Sequence, residues 1–294
     1  MSHAGVIVFS HANGFVAGTY NKLFKSLRGR GFAVHALPKF GHEVDYPVTN
    51  NWPHLVEQLA HFAAQVSHQE QQGVYLVGHS LGGILSLMTA ARHPVLGDHH
   101  VRGVVMMDSP IVSGWRAPTI GLIKRTNLIE RFSPARVSRR RRECWDDRTA
   151  VLTHFQSKRS FAAWDPQVLA DYVEHGFRDV HDDHGQHVEL AFSREVESQI
   201  YNSLPDNIDG LLRRHPLQTP LAFIGGSHSA EMRQLGHGPL RKLVGRSDDA
   251  RWQIINGSHL YPMEKPLETA QALATAIASR MPAMTPVVSV AVTC

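Results

Sequence analysis

Short apolar runs alternate with helical stretches over the first 110 residues, and the alternation returns near the end of the chain. Gly5 to Ser10, Phe32 to Leu37, Val74 to Gly78, Val101 to Met107, Leu221 to Gly225 and Trp252 to Ile255 are nearly continuous apolar segments. That is the pattern of strands buried on both faces. Tyr20 to Arg30, Trp52 to Val66 and Ile84 to Arg92 read as amphipathic or buried helices between the early strands. Strands spaced by such helices imply right-handed crossovers and a parallel arrangement. The pattern therefore predicts an α/β fold with a mostly parallel sheet of about six strands and helices on both faces. Ligands in such sheets bind at the carboxyl ends of the strands, where the loops after Ser10, Gly78 and Met107 converge.

The alternation breaks between Ile111 and Pro216, where the chain shows helical pieces, Arg-rich and His-rich loops and several prolines, but no clear core strand. It resumes at Thr219-Pro220-Leu221. The expectation is one core built from residues 1–110 and 217–294, with residues 111–216 inserted as a helical cap at the active-site end. Trp115, Phe132, Trp145, Phe155, Phe161, Trp164 and Phe177 of that insertion can line an apolar pocket or form the cap's own small core. Neither internal repeats nor low-complexity tracts interrupt the chain.

Composition narrows the class further. With 43% hydrophobic and 19% charged residues in 294, the chain can bury one large core, so a disordered or fibrous protein is excluded. Its two cysteines, Cys144 and Cys294, match neither a disulfide framework nor a metal site, which fits a reducing compartment. No apolar run reaches the length that spans a bilayer, and Val6 to Phe9 is too short for a signal-peptide core. A cytoplasmic location is expected. The net charge of +4 gathers around Arg136 to Arg142, which reads as a solvated helix face offset by Glu143, Asp146 and Asp147. It carries no aromatic interleaving, so neither nucleic acid nor membrane is expected as a partner; the oligomeric state stays open. The His181-Asp182-Asp183-His184-Gly185-Gln186-His187 cluster lies in a polar loop and matches no regular metal spacing, so no metal and no cofactor are expected.

The chemistry concentrates in Gly78-His79-Ser80-Leu81-Gly82, which follows a strand and opens a helix. That context puts Ser80 on a sharp bend in a strained backbone conformation, with Gly78 and Gly82 where side chains would collide with backbone. A serine hydroxyl needs a base to become nucleophilic at neutral pH. Twenty histidines make availability uninformative, so position decides. His259, in Asn256-Gly257-Ser258-His259, follows the last strand and precedes the final helix. Acyl transfer also needs N–H groups aimed at a developing oxyanion. Leu81, after the serine, and Asn13, in the Ser10-His11-Ala12-Asn13-Gly14 loop, are the candidates. His11 and His79 beside them are the expected substrate contacts.

These features together resemble the serine hydrolases of the α/β-hydrolase superfamily: the elbow at Gly78 to Gly82, the His11 to Gly14 loop, the Gly257-Ser258-His259 turn, and the order serine, acid, histidine. The resemblance covers about residues 1–110 and 217–280 and implies an α/β-hydrolase fold. It implies hydrolysis of a carboxylic ester or thioester, a small-molecule acyl substrate, through an acyl-enzyme. Carbon–carbon bond hydrolysis or acyl transfer on the same triad is the alternative, as is a catalytically silent protein binding a small ligand. The chain departs from the commonest pattern at the acid. Members usually carry Asp after the penultimate strand, where this chain has Ser229 in Gly225-Gly226-Ser227-His228-Ser229-Ala230-Glu231. A subset supplies the acid one strand earlier, where Asp108 stands; Glu231 is the alternative acid.

Overall fold

The computed structural model describes residues 4–111, 138–183, 185–245 and 249–279. Its centre is a six-stranded sheet in the order β11-β10-β6-β3-β1-β2. The strands are β1 (Gly5–Ser10), β2 (Phe32–Ala36), β3 (Val74–His79), β6 (Gly103–Met107), β10 (Leu221–Gly226) and β11 (Trp252–Ile255). A small hairpin, β4 (Val95–Leu96) and β5 (His99–His100), lies between β3 and β6 in the chain. All five pairings in the sheet are parallel. Alternate residues feed two separate cores, as a period of two requires. Val6, Val8, Leu76, Val104 and Phe223 face one layer; Ile7, Phe9, Val77, Val105 and Ile224 face the other.

Helices cover both faces, including α1 (Asn21–Gly29), α2 (Pro53–Glu70) and α3 (Leu81–Arg92). The chain runs from β1 to β2 on one side and then returns to place β3 on the other side of β1. The loops after β1 and β3 thus diverge, opening a crevice at this switch point. Register brings their ends level, because Ser10 lies beside Gly78 and Gly78 beside Met106.

Between β6 and β10 the chain leaves the sheet. The described part of this inserted segment holds α4 (Arg148–Gln156), α5 (Pro166–His175), α6 (Arg194–Asn202) and α7 (Ile208–Arg214). It is not purely helical. β7 (Cys144–Trp145), β8 (Phe177–Asp182) and β9 (Gly185–Leu190) form a separate antiparallel sheet in the order β7-β9-β8. The His-rich stretch expected as a loop is therefore mostly the β8–β9 hairpin; His184 lies outside the described residues. Trp145, Phe155, Phe161, Trp164 and Phe177 pack on one another and on Tyr172. Rather than a core of the segment's own, they join Ile7, Phe9 and Tyr20 in one continuous apolar cluster. Trp115, Phe132, Arg136 and the apolar tail from Pro286 lie outside the described residues.

The Arg-rich run also departs from expectation. Arg139, Arg140 and Arg142 are exposed, but Arg141 turns inward and pairs with Glu197 at 3.0 Å.

Two glycines set the β3–α3 bend. A Cβ on Gly78 would lie 2.1 Å from the Gly82 carbonyl, and one on Gly82 would lie 2.1 Å from the Ser10 carbonyl oxygen. Backbone, unlike a side chain, cannot swing aside. Gly78→Ala should therefore cost at least about 2 kcal/mol in urea unfolding, whereas Gly238→Ala, with no atom within 4 Å, should change stability by less than about 0.5 kcal/mol. Equal effects would contradict the packing account.

Candidate active site

The bend places Ser80 at φ 54°, ψ −115°, outside the usual regions for a side-chain-bearing residue. Its N–H is held by the Met107 carbonyl at 2.8 Å. In that conformation the hydroxyl meets His259, whose Nε2 lies 3.0 Å from Ser80 Oγ. On the far side of the ring, His259 Nδ1 lies 2.6 Å from Asp108 Oδ2. An ionised carboxylate only accepts, so Nδ1 carries the proton and Nε2 presents a lone pair to the serine O–H.

Asp108 ends β6 at φ 43° and its side chain is fully buried. Its carboxylate accepts three hydrogen bonds. Besides His259, the Gly226 N–H donates at 2.7 Å and the Ser229 hydroxyl at 2.6 Å. Ser229 thus stands where the resemblance led one to expect the acid, and its hydroxyl donates to the carboxylate one strand over. Glu231 Oε2 is 3.8 Å from the same Nδ1, and its side chain is 47% exposed. Distance and burial both favour Asp108 as the partner of His259. Burial alone would push His259 down, but the Asp108 hydrogen bond and charge, with the charge of Glu231, hold it above its ordinary 6.5.

The His259 turn is itself fixed. Glu264 accepts from the Ser258 N–H at 3.1 Å and from the Ser258 hydroxyl. His11 and His79 do not meet the expectation of substrate contact. Both are fully buried, and neither lines the cavity at Ser80. His79 Nε2 is 2.9 Å from the His259 carbonyl, which can only accept, so Nε2 bears the proton. Its Nδ1 then takes the Tyr20 O–H at 2.8 Å, and Tyr20 accepts the Ala12 N–H at 3.1 Å. A buried line of hydrogen bonds thereby ties the loop after β1 to the His259 loop. Burial lowers His79 to about 3 and His11 to about 4, so both stay neutral. His11 accepts the Phe40 N–H at 3.1 Å and contacts the Ala12 carbonyl at 2.8 Å.

A cavity of about 330 Å³ opens beside these groups. Asn13, Ser80, Leu81 and His259 border it at one end, while Trp52, Ile84, Pro110, Ile200, Leu204 and Ile208 make its apolar walls. Tyr201, Glu231 and Gln234 add polar groups. Among the described residues, neither the Asn13 nor the Leu81 backbone N–H has a hydrogen-bond acceptor. A larger groove of about 420 Å³, between Arg139, Arg178 and Arg194, holds none of Ser80, His259 or Asp108. Among the described residues, the one cluster with metal-ligand residue types is Asp108, Glu231 and His259, already engaged as above.

The sequence pattern of the alpha/beta hydrolase family matches residues 7–272. The chain belongs to this family. Human monoglyceride lipase is 32% identical over 111 residues, which make up 36% of this chain and 35% of the lipase. The match thus spans about a third of that relative's length. Among solved structures, E-2-(acetamidomethylene)succinate hydrolase superposes with a TM-score of 0.66 at 19% identity, covering 93% of this chain and 91% of that one. The peroxisomal alpha-beta-hydrolase of Saccharomyces cerevisiae gives 0.66 at 14% identity, covering 93% and 76%. The thioesterase domain from the curacin biosynthetic pathway gives 0.60 at 15% identity, covering 93% and 91%. These structural likenesses establish the shared fold. Among the described residues, no helix is long and apolar enough to cross a membrane.

The charges around His259 make a direct expectation for a proton NMR titration. The His259 ring should titrate above 6.5 in the wild-type chain and lower in Asp108→Asn. Glu231→Gln should move it less. A larger shift from Glu231→Gln would reverse the ranking of the two carboxylates.

Proposed function

We propose that this hydrolase cleaves an uncharged carboxylic ester through an acyl-enzyme, with Ser80 as nucleophile. The observation that carries the reading is the unbroken contact line Ser80–His259–Asp108 bordering an apolar cavity. His259 Nε2 accepts the Ser80 proton as Oγ bonds to the acyl carbon, and the carbonyl electrons move onto oxygen. The Asn13 and Leu81 amides then hold that oxyanion. Collapse breaks the bond to the alcohol, which leaves with the proton from His259. Water, deprotonated by His259, repeats the attack and releases the acid. Asp108 holds the ring in the right tautomer and stabilises its charged form. No step in this scheme calls for a cofactor.

Substrate class follows from the cavity walls. They carry Glu231 and no lysine or arginine among the described residues, so a neutral acyl chain suits them better than a carboxylate. The named activity of the human relative, on monoglycerides, is ester hydrolysis of this neutral type. Thioester cleavage by the same groups stays within the scheme. An exposed free thiol at Cys144 suits a reducing, cytoplasmic setting.

A fluorophosphonate probe tests the reading directly. It should label Ser80 in the folded chain, and absence of labelling would leave a silent binding protein as the better account. On a p-nitrophenyl ester, Asp108→Asn should lose about 10³–10⁴-fold in kcat, and Glu231→Gln less than about tenfold. The opposite order would assign the acid to Glu231.

Because only neutral His259 accepts the serine proton, kcat/KM should fall on the acid side with a midpoint above 6.5. A midpoint below that value would contradict the raised His259.

A neutral acyl ester should be preferred over its ω-carboxylate counterpart by about tenfold at low salt. Glu231→Gln should narrow that margin. An unchanged ratio would remove Glu231 from the account of specificity.

A further inference from the structure

The loop that would supply one oxyanion amide is not shaped by the sheet alone. Its Asn13 side chain donates from Nδ2 to the backbone carbonyl of Glu197, on α6 of the inserted segment, at 3.0 Å. Gly14 follows at φ +76°, and a Cβ there would lie 2.7 Å from Glu197 Oε1. The Glu197 carboxylate is fixed in turn. Its Oε1 accepts the Ser138 hydroxyl at 2.9 Å, and its Oε2 accepts Arg141 Nη1 at 3.0 Å. Arg141 also reaches to 3.5 Å of the Gly14 carbonyl and donates to the Tyr172 hydroxyl. The ion pair is largely buried, with side-chain exposures of 22% for Arg141 and 9% for Glu197. Three and four residues along α6, on the same helix face, Ile200 and Tyr201 line the substrate cavity.

We infer that the Arg141–Glu197 pair is a positioning device for the oxyanion loop: the inserted segment grips Asn13–Gly14 and holds the Asn13 amide toward the site. The inference rests on the Ser80 reading above. Burying two charges is a poor route to stability, because their desolvation offsets much of the attraction. What the pair does supply is fixed geometry, packed so closely on Gly14 that a Cβ there would collide with the Glu197 carboxylate. Substrate lying against Ile200 and Tyr201 meets the same helix that sets the loop. Neither residue touches the reacting atoms, so the effect belongs to transition-state alignment and not to proton transfer.

The test uses the full chain with Glu197→Gln and with the charge-free double variant Glu197→Gln/Arg141→Met, which leaves no charge buried alone. Folded fraction is read from complete fluorophosphonate labelling at Ser80. In labelled-competent protein, kcat should fall about 10- to 100-fold, short of or matching the loss of one whole oxyanion donor. KM should stay within about threefold, and an alkylboronic acid, which mimics the tetrahedral intermediate, should bind more weakly by the same factor as kcat. The acid limb of the pH profile should not move, since His259 and Asp108 are untouched. Should both variants fail to fold, Ser138→Ala, which removes one hydrogen bond from Glu197, should give the same split at about three- to tenfold. Folded variants with kcat within about twofold of wild type, or boronic-acid affinity unchanged while kcat falls, would overturn the proposal. A wild-type chain never labelled at Ser80 would instead overturn the hydrolase reading, and this proposal with it.

Discussion

One buried carboxylate organises the whole sheet edge around Ser80. Asp108 is shut off from water, and an ionised group there is tolerable only if every accessible lone pair finds a donor. The three donors come from three different places: the end of β10, the loop beyond it, and the turn after β11. Meeting that demand fixes the spacing of those loops to within hydrogen-bond tolerance. His259 is aimed at Ser80 as a by-product of satisfying Asp108. The positive φ at Asp108 and at Ser80 is the backbone strain that accompanies this arrangement.

Much of this was legible in the chain because the signals are local. Val74 to Gly78 alternates between two cores, and the glycines at 78 and 82 sit where two backbones approach within a Cβ's reach. Sequence order alone put Ser80 and His259 at the same sheet edge. The acid was harder, since Asp108 and Glu231 both belong to loops that reach His259. Geometry separates them: 2.6 Å and full burial against 3.8 Å and half exposure. A serine in the usual acid position carried no local mark of its partnership, because its acceptor lies 121 residues away.

The misread features share that cause. His79 ends β3 next to Ser80 and His11 opens the loop after β1, yet burial turns both rings into hydrogen-bond networks away from the cavity. Tyr20 gives no hint of bonding to His79, being ordinary in a helical pattern. Arg141 hides among exposed arginines, and partners distant in the chain, Glu197 56 residues on and Tyr172, turn it inward. The β8–β9 hairpin is polar on most positions and so lacks the apolar alternation that reveals core strands. Charge content made it look like a loop.

With Asp108 placed just after β6, the β10 loop takes a lighter part in holding His259. That loop gives the Asp108 carboxylate one backbone amide and one hydroxyl, from Gly226 and Ser229. The residues just beyond, Glu231 and Gln234, border the cavity beside Ser80, and Glu231 stays 3.8 Å from the histidine. Here the short contact to His259 comes from Asp108, so the side chains of this turn shape the cavity wall while the ring's orientation is set elsewhere, and Glu231 adds its charge alone.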